Sequence, residues 1–510
     1  MKRIAWGAAF AVLALSACKK DPNSEGYWKK QLEKDKTRTP ALIEIADKLS
    51  TPEQKAWAAK LVVGVFDKDP SRAATALRKL GIASSDVAAK IDSALRSKDP
   101  SVMPSAAATA MALNLKQAEP ALVEILSGWT TANPQLMRDV RVEVMRALGH
   151  FESKAAIPAL TTVAGADSAT KVERYEALRA LSKVADARAT PAFIAGLFLP
   201  CAMDRCSAVS RIGLNRIGVA AIPALLKAIE RKDPVVEKLA KEKKLDENNG
   251  QVTRVPFVVL GDIADAATVR KLAAKYLGGE PNFTKVNALV ALGYAGSPEL
   301  AEALQESYEK PVLEIRTNAL HALHRTGSRS ALPFLTGVIR KNEDPNLVWT
   351  AGLAVSFLGG EAELGLVEAT WKKAAANAKS MKGEDQALAK QTATFFEQFT
   401  KRLRAAKGCT NDACWAGKLK DADKEVRTKA ARMLAWAKNK PVAEAALIGA
   451  LADAENDVRE ELAFALGKVG SAKAVPALRE RLTADKEKGK LRESLFLYEL
   501  VAARLAGRGA

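Results

Sequence analysis

Two stretches of this chain repeat each other: Asp139-Val140-Arg141-Val142-Glu143-Val144-Met145-Arg146-Ala147-Leu148-Gly149 and Asp457-Val458-Arg459-Glu460-Glu461-Leu462-Ala463-Phe464-Ala465-Leu466-Gly467. Both open on Asp-Val-Arg and close on Ala-Leu-Gly. Glu425-Val426-Arg427 through Met433-Leu434 is a third copy, and Glu314-Ile315-Arg316 through Ala322-Leu323 a fourth. Weaker copies align at Ala73, Met103, Arg174, Ser210, Thr253, Lys285, Trp349 and Arg492, most of them 30–38 residues after the one before. A fixed period of that size marks a stacked array, whereas a coiled coil would show an unbroken seven-residue pattern.

Each unit reads as two helices. Val140, Val144, Ala147 and Leu148 recur at helical spacing, which builds one apolar face. Gly149, Gly293, Gly327 and Gly470 stand near the ends of first helices, where glycine commonly stops a helix. A second helix follows with proline in its opening turn, as in Ala156-Ile157-Pro158, Ala221-Ile222-Pro223, Ala331-Leu332-Pro333 and Ala474-Val475-Pro476. Proline fits there because a first-turn N–H has no intrahelical acceptor to lose.

With turn, Pro, Arg and Ala-Leu-Gly recurring in one order, residues 40–510 resemble an array of short HEAT repeats of the kind found in bacterial HEAT-repeat proteins. The resemblance implies an all-α fold: an α-solenoid of about twelve helix pairs in a single elongated superhelix, with the second helices lining its concave side. Composition agrees. Aromatics are 5% of 510 residues, and Ala, Leu, Val, Lys, Arg and Glu dominate long stretches, which favours helix over a β-sandwich or barrel. Two irregularities interrupt the period: a charged extension over Lys238–Gly250, and an Ala/Lys-rich helical insertion at residues 370–408 containing Phe395, Phe396 and Phe399.

The N-terminus has a different character. Lys2 and Arg3 precede a nearly unbroken apolar run, Ile4–Leu15, and then Leu15-Ser16-Ala17-Cys18. The run is too short to span a bilayer, which takes about 20 apolar residues, and has the flanks of a secretory leader. Its last four residues resemble the lipobox of bacterial lipoproteins. That resemblance implies a leader cleaved after residue 17 and acyl chains on Cys18. With Lys19 following, it also implies an outer-membrane address facing the periplasm. Residues 18–39 read as lipidated cysteine and polar tether, 40–369 and 409–510 as repeats. No segment beyond Cys18 reads as a transmembrane helix.

Four cysteines remain, as Cys201-x4-Cys206 and Cys409-x4-Cys414. An exported chain meets an oxidising compartment, and neighbouring Pro200, Asp204, Gly408 and Asn411 let the chain turn back. Two local disulfides are expected. The alternative is free or metal-binding thiols, although some six repeats between the pairs oppose one shared zinc site.

Nothing in the sequence forms a metal, nucleotide or nucleophile motif, and neither cofactor nor catalytic residue is expected. Of three histidines, His321 and His324 share a helix face, too few ligands for a good metal site. The recurrent Arg141, Arg316, Arg427 and Arg459 read as ladder residues bridging adjacent units. Net charge is +19, or +17 without Lys2 and Arg3, which draws the chain to anionic surfaces. Lys227, Arg231, Arg340, Arg479 and Arg481, all on second helices, are the candidate contacts. The expected function is a non-enzymatic, lipid-anchored scaffold binding a protein or an anionic envelope component along the concave surface. A bilin-lyase-like enzyme or subunit and a nucleic-acid-binding HEAT protein are the alternatives, and export opposes both.

Overall fold

The computed structural model describes residues 21–97, 99–128, 134–201, 206–242, 251–278, 282–487 and 492–508. Cys18, the leader and the 243–250 part of the charged extension lie outside them. The described residues are all-α with no strand, a solenoid of stacked helix pairs. The chain divides into two compact units, Met1–Ala159 and Leu160–Ala510.

In the first unit, the helices Asp35–Lys48, Pro70–Leu80, Met103–Ala112 and Pro134–His150 stack in sequence, each packed with a neighbouring partner helix. Pro70–Leu80 shows why such a segment is helical. The Asp69 side chain accepts from the Arg72 N–H, Pro70 occupies the first turn, and Ala73, Ala76, Leu77 and Leu80 form the buried stripe. Gly81 at φ +73° ends it in the left-handed conformation that glycine adopts without strain. Helix begins at Glu25, so the expected tether over 18–39 is largely structured. Its Lys- and Glu-rich composition hides Trp28 and Leu32, which are 2% and 1% exposed.

In both units an arginine near the start of a first helix binds back to the preceding turn, whereas the recurrent Arg316 instead meets Tyr308 Oη and Glu343 at 2.6 and 2.8 Å. Arg38 donates to the Leu32 and Glu33 carbonyls at 3.0 and 3.1 Å. Arg174 holds those of Ala164 and Ala166 at 3.2 and 2.9 Å, Arg427 those of Asp421 and Ala422 at 2.8 and 3.0 Å, and Arg459 those of Asp453 and Ala454 at 2.9 and 2.7 Å. Each guanidinium thereby ties its own helix to the turn before it. It satisfies carbonyls that the preceding structure leaves open. Arg427 also pairs with Asp453 of the next unit at 2.6 and 3.1 Å, as a ladder residue should.

In the second unit the first helices form two rows. An outgoing row runs through Cys206–Ile217, Gln251–Ile263, Phe283–Ala295, Leu313–Leu323 and Pro345–Leu358. The helix Gly383–Ala405 makes the turn, and a returning row runs through Lys424–Leu434, Asn456–Val469 and Arg492–Arg508. The last of these packs against Cys206–Ile217, closing the array. Gly507 permits this contact, because a Cβ there would overlap the Arg216 carbonyl.

Two expectations change accordingly, and a third point bears on membrane spanning. First helices, not second, face inward, so Lys227, Arg231, Arg340, Arg479 and Arg481 do not line a concave groove in this unit. The insertion at 370–408 is a helical hairpin that begins earlier, Glu361–Ser380 with Gly383–Ala405, and its second helix takes a first-helix place in the row. Finally, Cys206–Ile229 is long and apolar enough by composition to cross a membrane. Gly218 at φ +70° divides it into helices of 12 and 8 residues, too short to span.

Candidate functional site

The five candidate cations belong to three second helices, Ile222–Ile229, Leu332–Lys341 and Val475–Glu487, and fall into two groups. Lys227, Arg340 and Arg479 are exposed, and no ion pair engages them among the described residues. Arg231, at φ +59° just beyond the helix Ile222–Ile229, is tied to Glu237 through Nε and Nη2, one edge of its guanidinium. Arg481 is half-buried and also engaged. The structure supplies no common cluster for the five.

A different basic constellation occupies the seam between the two rows. Lys429 is fully buried and donates to the Ser356, Phe357 and Gly359 carbonyls at 3.0, 2.6 and 2.9 Å. Arg432 donates to the His324 carbonyl at 2.9 Å, Lys468 to those of Ala295 and Gly296, and Arg504 to that of Asp262 at 3.0 Å. Each cation reaches the C-terminal end of one outgoing helix, in antiparallel order: Pro345–Leu358, Leu313–Leu323, Phe283–Ala295, then Gln251–Ile263. Those ends carry unsatisfied carbonyls and about half a negative charge each, so the returning helices act as caps for the outgoing ones.

Carboxylates and rings complete the seam. Arg432 makes a two-pronged pair with Glu461, both contacts 2.6 Å; Arg402 pairs with Glu425 at 2.7 Å, and Arg211 with Asp262 at 2.6 and 2.8 Å. Arg432 lies 4.2 Å from the Phe357 ring centre and 4.6 Å from that of Phe464, within cation–π range. Sequence reading missed these residues, since a lysine such as Lys429 ordinarily signals a solvated position. Burial holds the Lys429 ammonium well below its usual pKa, with Arg329, Arg402 and Arg432 adding to the depression.

His324 stacks on Phe357, and its Nδ1 is 3.0 Å from Arg432 Nη1, which donates to it. Burial first, then Arg432, Arg325, His321 and Arg402, push its pKa well below the ordinary value, so the ring is neutral. Unfolding frees it to bind a proton below pH about 6.5. The unfolded chain then binds more protons than the folded one, and stability falls as pH drops through that range. The expected contribution approaches 1.4 kcal/mol per pH unit below about 6. Urea unfolding at several pH values measures it, as the difference in slope between the natural chain and His324→Gln.

The cysteine pairs have Cα separations of 5.2 Å (Cys201, Cys206) and 5.6 Å (Cys409, Cys414), both at disulfide distance. Among the described residues no group of three or more His, Cys, Asp or Glu side chains is placed to hold a metal.

Residues 264–356 and 416–495 match the family model described as HEAT repeats, and residues 140–164 match the PBS lyase HEAT-like repeat. No curated protein sequence matches the chain. Among solved structures, Kap121p is similar at 10% identity and TM-score 0.46, over 90% of this chain and 55% of that one. Kap121p bound to Nup53p gives 12% and 0.47, over 92% and 55%. Yeast importin-beta (Kap95p) gives 13% and 0.41, over 95% and 73%. The chain thus spans about half the length of the Kap121p chains it matches. Over the matched stretches its helix pairs are similar to HEAT repeats.

Proposed function

We propose that this chain is a non-enzymatic, lipid-anchored scaffold of a bacterial envelope, holding a protein or an anionic envelope component against a membrane. The observation that carries the reading is the junction of two features in one sequence: a leader ending in Leu15-Ser16-Ala17-Cys18, and a repeat array behind it. Acyl chains on Cys18 would confine the array to a surface, most simply the outer membrane facing the periplasm, since several chains anchor stably. Two cysteine pairs at disulfide distance suit that oxidising compartment. Because the inner face of the Leu160–Ala510 unit is filled by its own seam, partner contact there falls on outward second helices. Lys227, Arg340 and Arg479 stand ready on them. No nucleic acid and no cofactor enter this reading.

The test is made in cells. Intact-mass measurement without reductant is expected to show an acylated N-terminal Cys18 and a chain four hydrogens lighter than its reduced form. An intact Met1 would overturn the anchor, and free thiols would overturn the oxidised compartment. Cross-linking and pull-down should then recover an envelope partner from the native protein that Cys18→Ala loses. Recovery of cytoplasmic proteins instead would overturn the scaffold reading.

A further inference from the structure

The helical hairpin of the second unit is built unlike its neighbours. Its helices have 20 and 23 residues, against 14 for Pro345–Leu358 and 11 for Lys424–Leu434. At 1.5 Å per residue the hairpin is about 30–35 Å long and the flanking helices about 17–21 Å. The excess lies at the turn end. In Gly383–Ala405 the buried residues Phe396, Phe399, Thr400, Arg402, Leu403 and Ala405 all belong to the half away from the turn, and only Ala389 is buried near it. The other helix buries only Val367 and Ala374. Towards the turn, then, the two helices pack chiefly on each other.

That projecting end has a distinctive surface. Over residues 371–392 there are five lysines, Lys372, Lys373, Lys379, Lys382 and Lys390, against Glu384 and Asp385. All five lysines are exposed, and no ion pair engages them among the described residues. The two carboxylates sit in the first turn of the second helix, where the helix dipole favours them. Met381 in the turn and Leu388 one helical turn beyond Glu384 are each 39% exposed. Gly383, at φ +61°, and a bond from Gln386 Nε2 to the Ala378 carbonyl at 3.0 Å fix the turn that presents them.

We infer that the hairpin tip is a docking point for an anionic lipid surface. A convex, cationic prominence with two apolar side chains among its lysines matches a flat, negatively charged bilayer. The lysines meet the headgroups, and Met381 and Leu388 enter the boundary beneath. This goes beyond the anchor proposed above and requires no acylation. A soluble form starting at Asp21, which retains every described residue, therefore tests it separately.

The experiment is co-sedimentation with vesicles of about 30% phosphatidylglycerol in phosphatidylcholine, at about 0.1 M salt. Binding is expected to these vesicles and not to phosphatidylcholine alone. Each Lys→Gln change at Lys379, Lys382 or Lys390 should weaken partition about 5-fold, and the triple variant roughly 100-fold. Met381→Asp should also weaken it. Thermal midpoints should not move, because these side chains are exposed. Absence of binding to anionic vesicles, equal binding to neutral ones, or a triple variant that partitions like the natural chain would each overturn the inference.

Discussion

Replacing Glu461 by alanine lowers the stability of the Leu160–Ala510 unit by about 3–5 kcal/mol. Glu461 accepts two bonds from Arg432, whose side chain is 3% exposed. Without the carboxylate, the guanidinium keeps the His324 carbonyl and Nδ1 but loses the charge that offsets its desolvation. Arg325, Arg402 and Lys429 stand close by, so removal of an anion is felt by several cations together. Water cannot replace Glu461 readily in so closed a seam. The double variant Arg432→Met/Glu461→Leu removes both charges while keeping apolar volume, and should recover at least half of the loss. Urea unfolding followed by circular dichroism gives both numbers. A single-variant loss under about 1 kcal/mol would mean the seam is wetter than its geometry indicates.

The larger effect comes from ending the chain at residue 491. The terminal helix Arg492–Arg508 buries Tyr498, Leu500, Val501 and Leu505, at 0%, 5%, 5% and 0% exposure. At about 1.5–3 kcal/mol for each such side chain, roughly 6–12 kcal/mol is removed, comparable to the whole stability of an ordinary domain. Arg504 goes with them, and the carbonyl of Asp262 loses its partner. Calorimetry should show the cooperative transition of the second unit abolished. The transition of Met1–Ala159, which has its own core, should persist. Survival of both transitions would show that the array does not depend on being closed.

Local order was legible in the sequence; the return of the array was not. Asp-Val-Arg, the opening prolines and the stopping glycines report on a helix and its immediate neighbours, and those pairings stand. Seam contacts join residues far apart without any period: Lys429 to Phe357 across 72 positions, and Arg504 to Asp262 across 242. A side chain whose partner is a backbone carbonyl leaves no complementary residue type for a reader to find. Gly383–Ala405 escaped notice as a first helix because it lacks both Asp-Val-Arg and Ala-Leu-Gly. The charge-based candidates do not converge, because they come from three helices set apart along the chain. Net charge gives only the excess of cations over anions, and burial decides which cations remain available. Here four basic residues, Lys429, Arg432, Lys468 and Arg504, are spent on helix ends.

Antiparallel capping also limits how such a protein can change length. An open array tolerates duplication or loss of one unit, since each unit meets only its neighbours. Here an added unit in either row would slide every later cation past its helix end by one step. Growth or shrinkage within the two rows must therefore come as matched gains or losses on both sides.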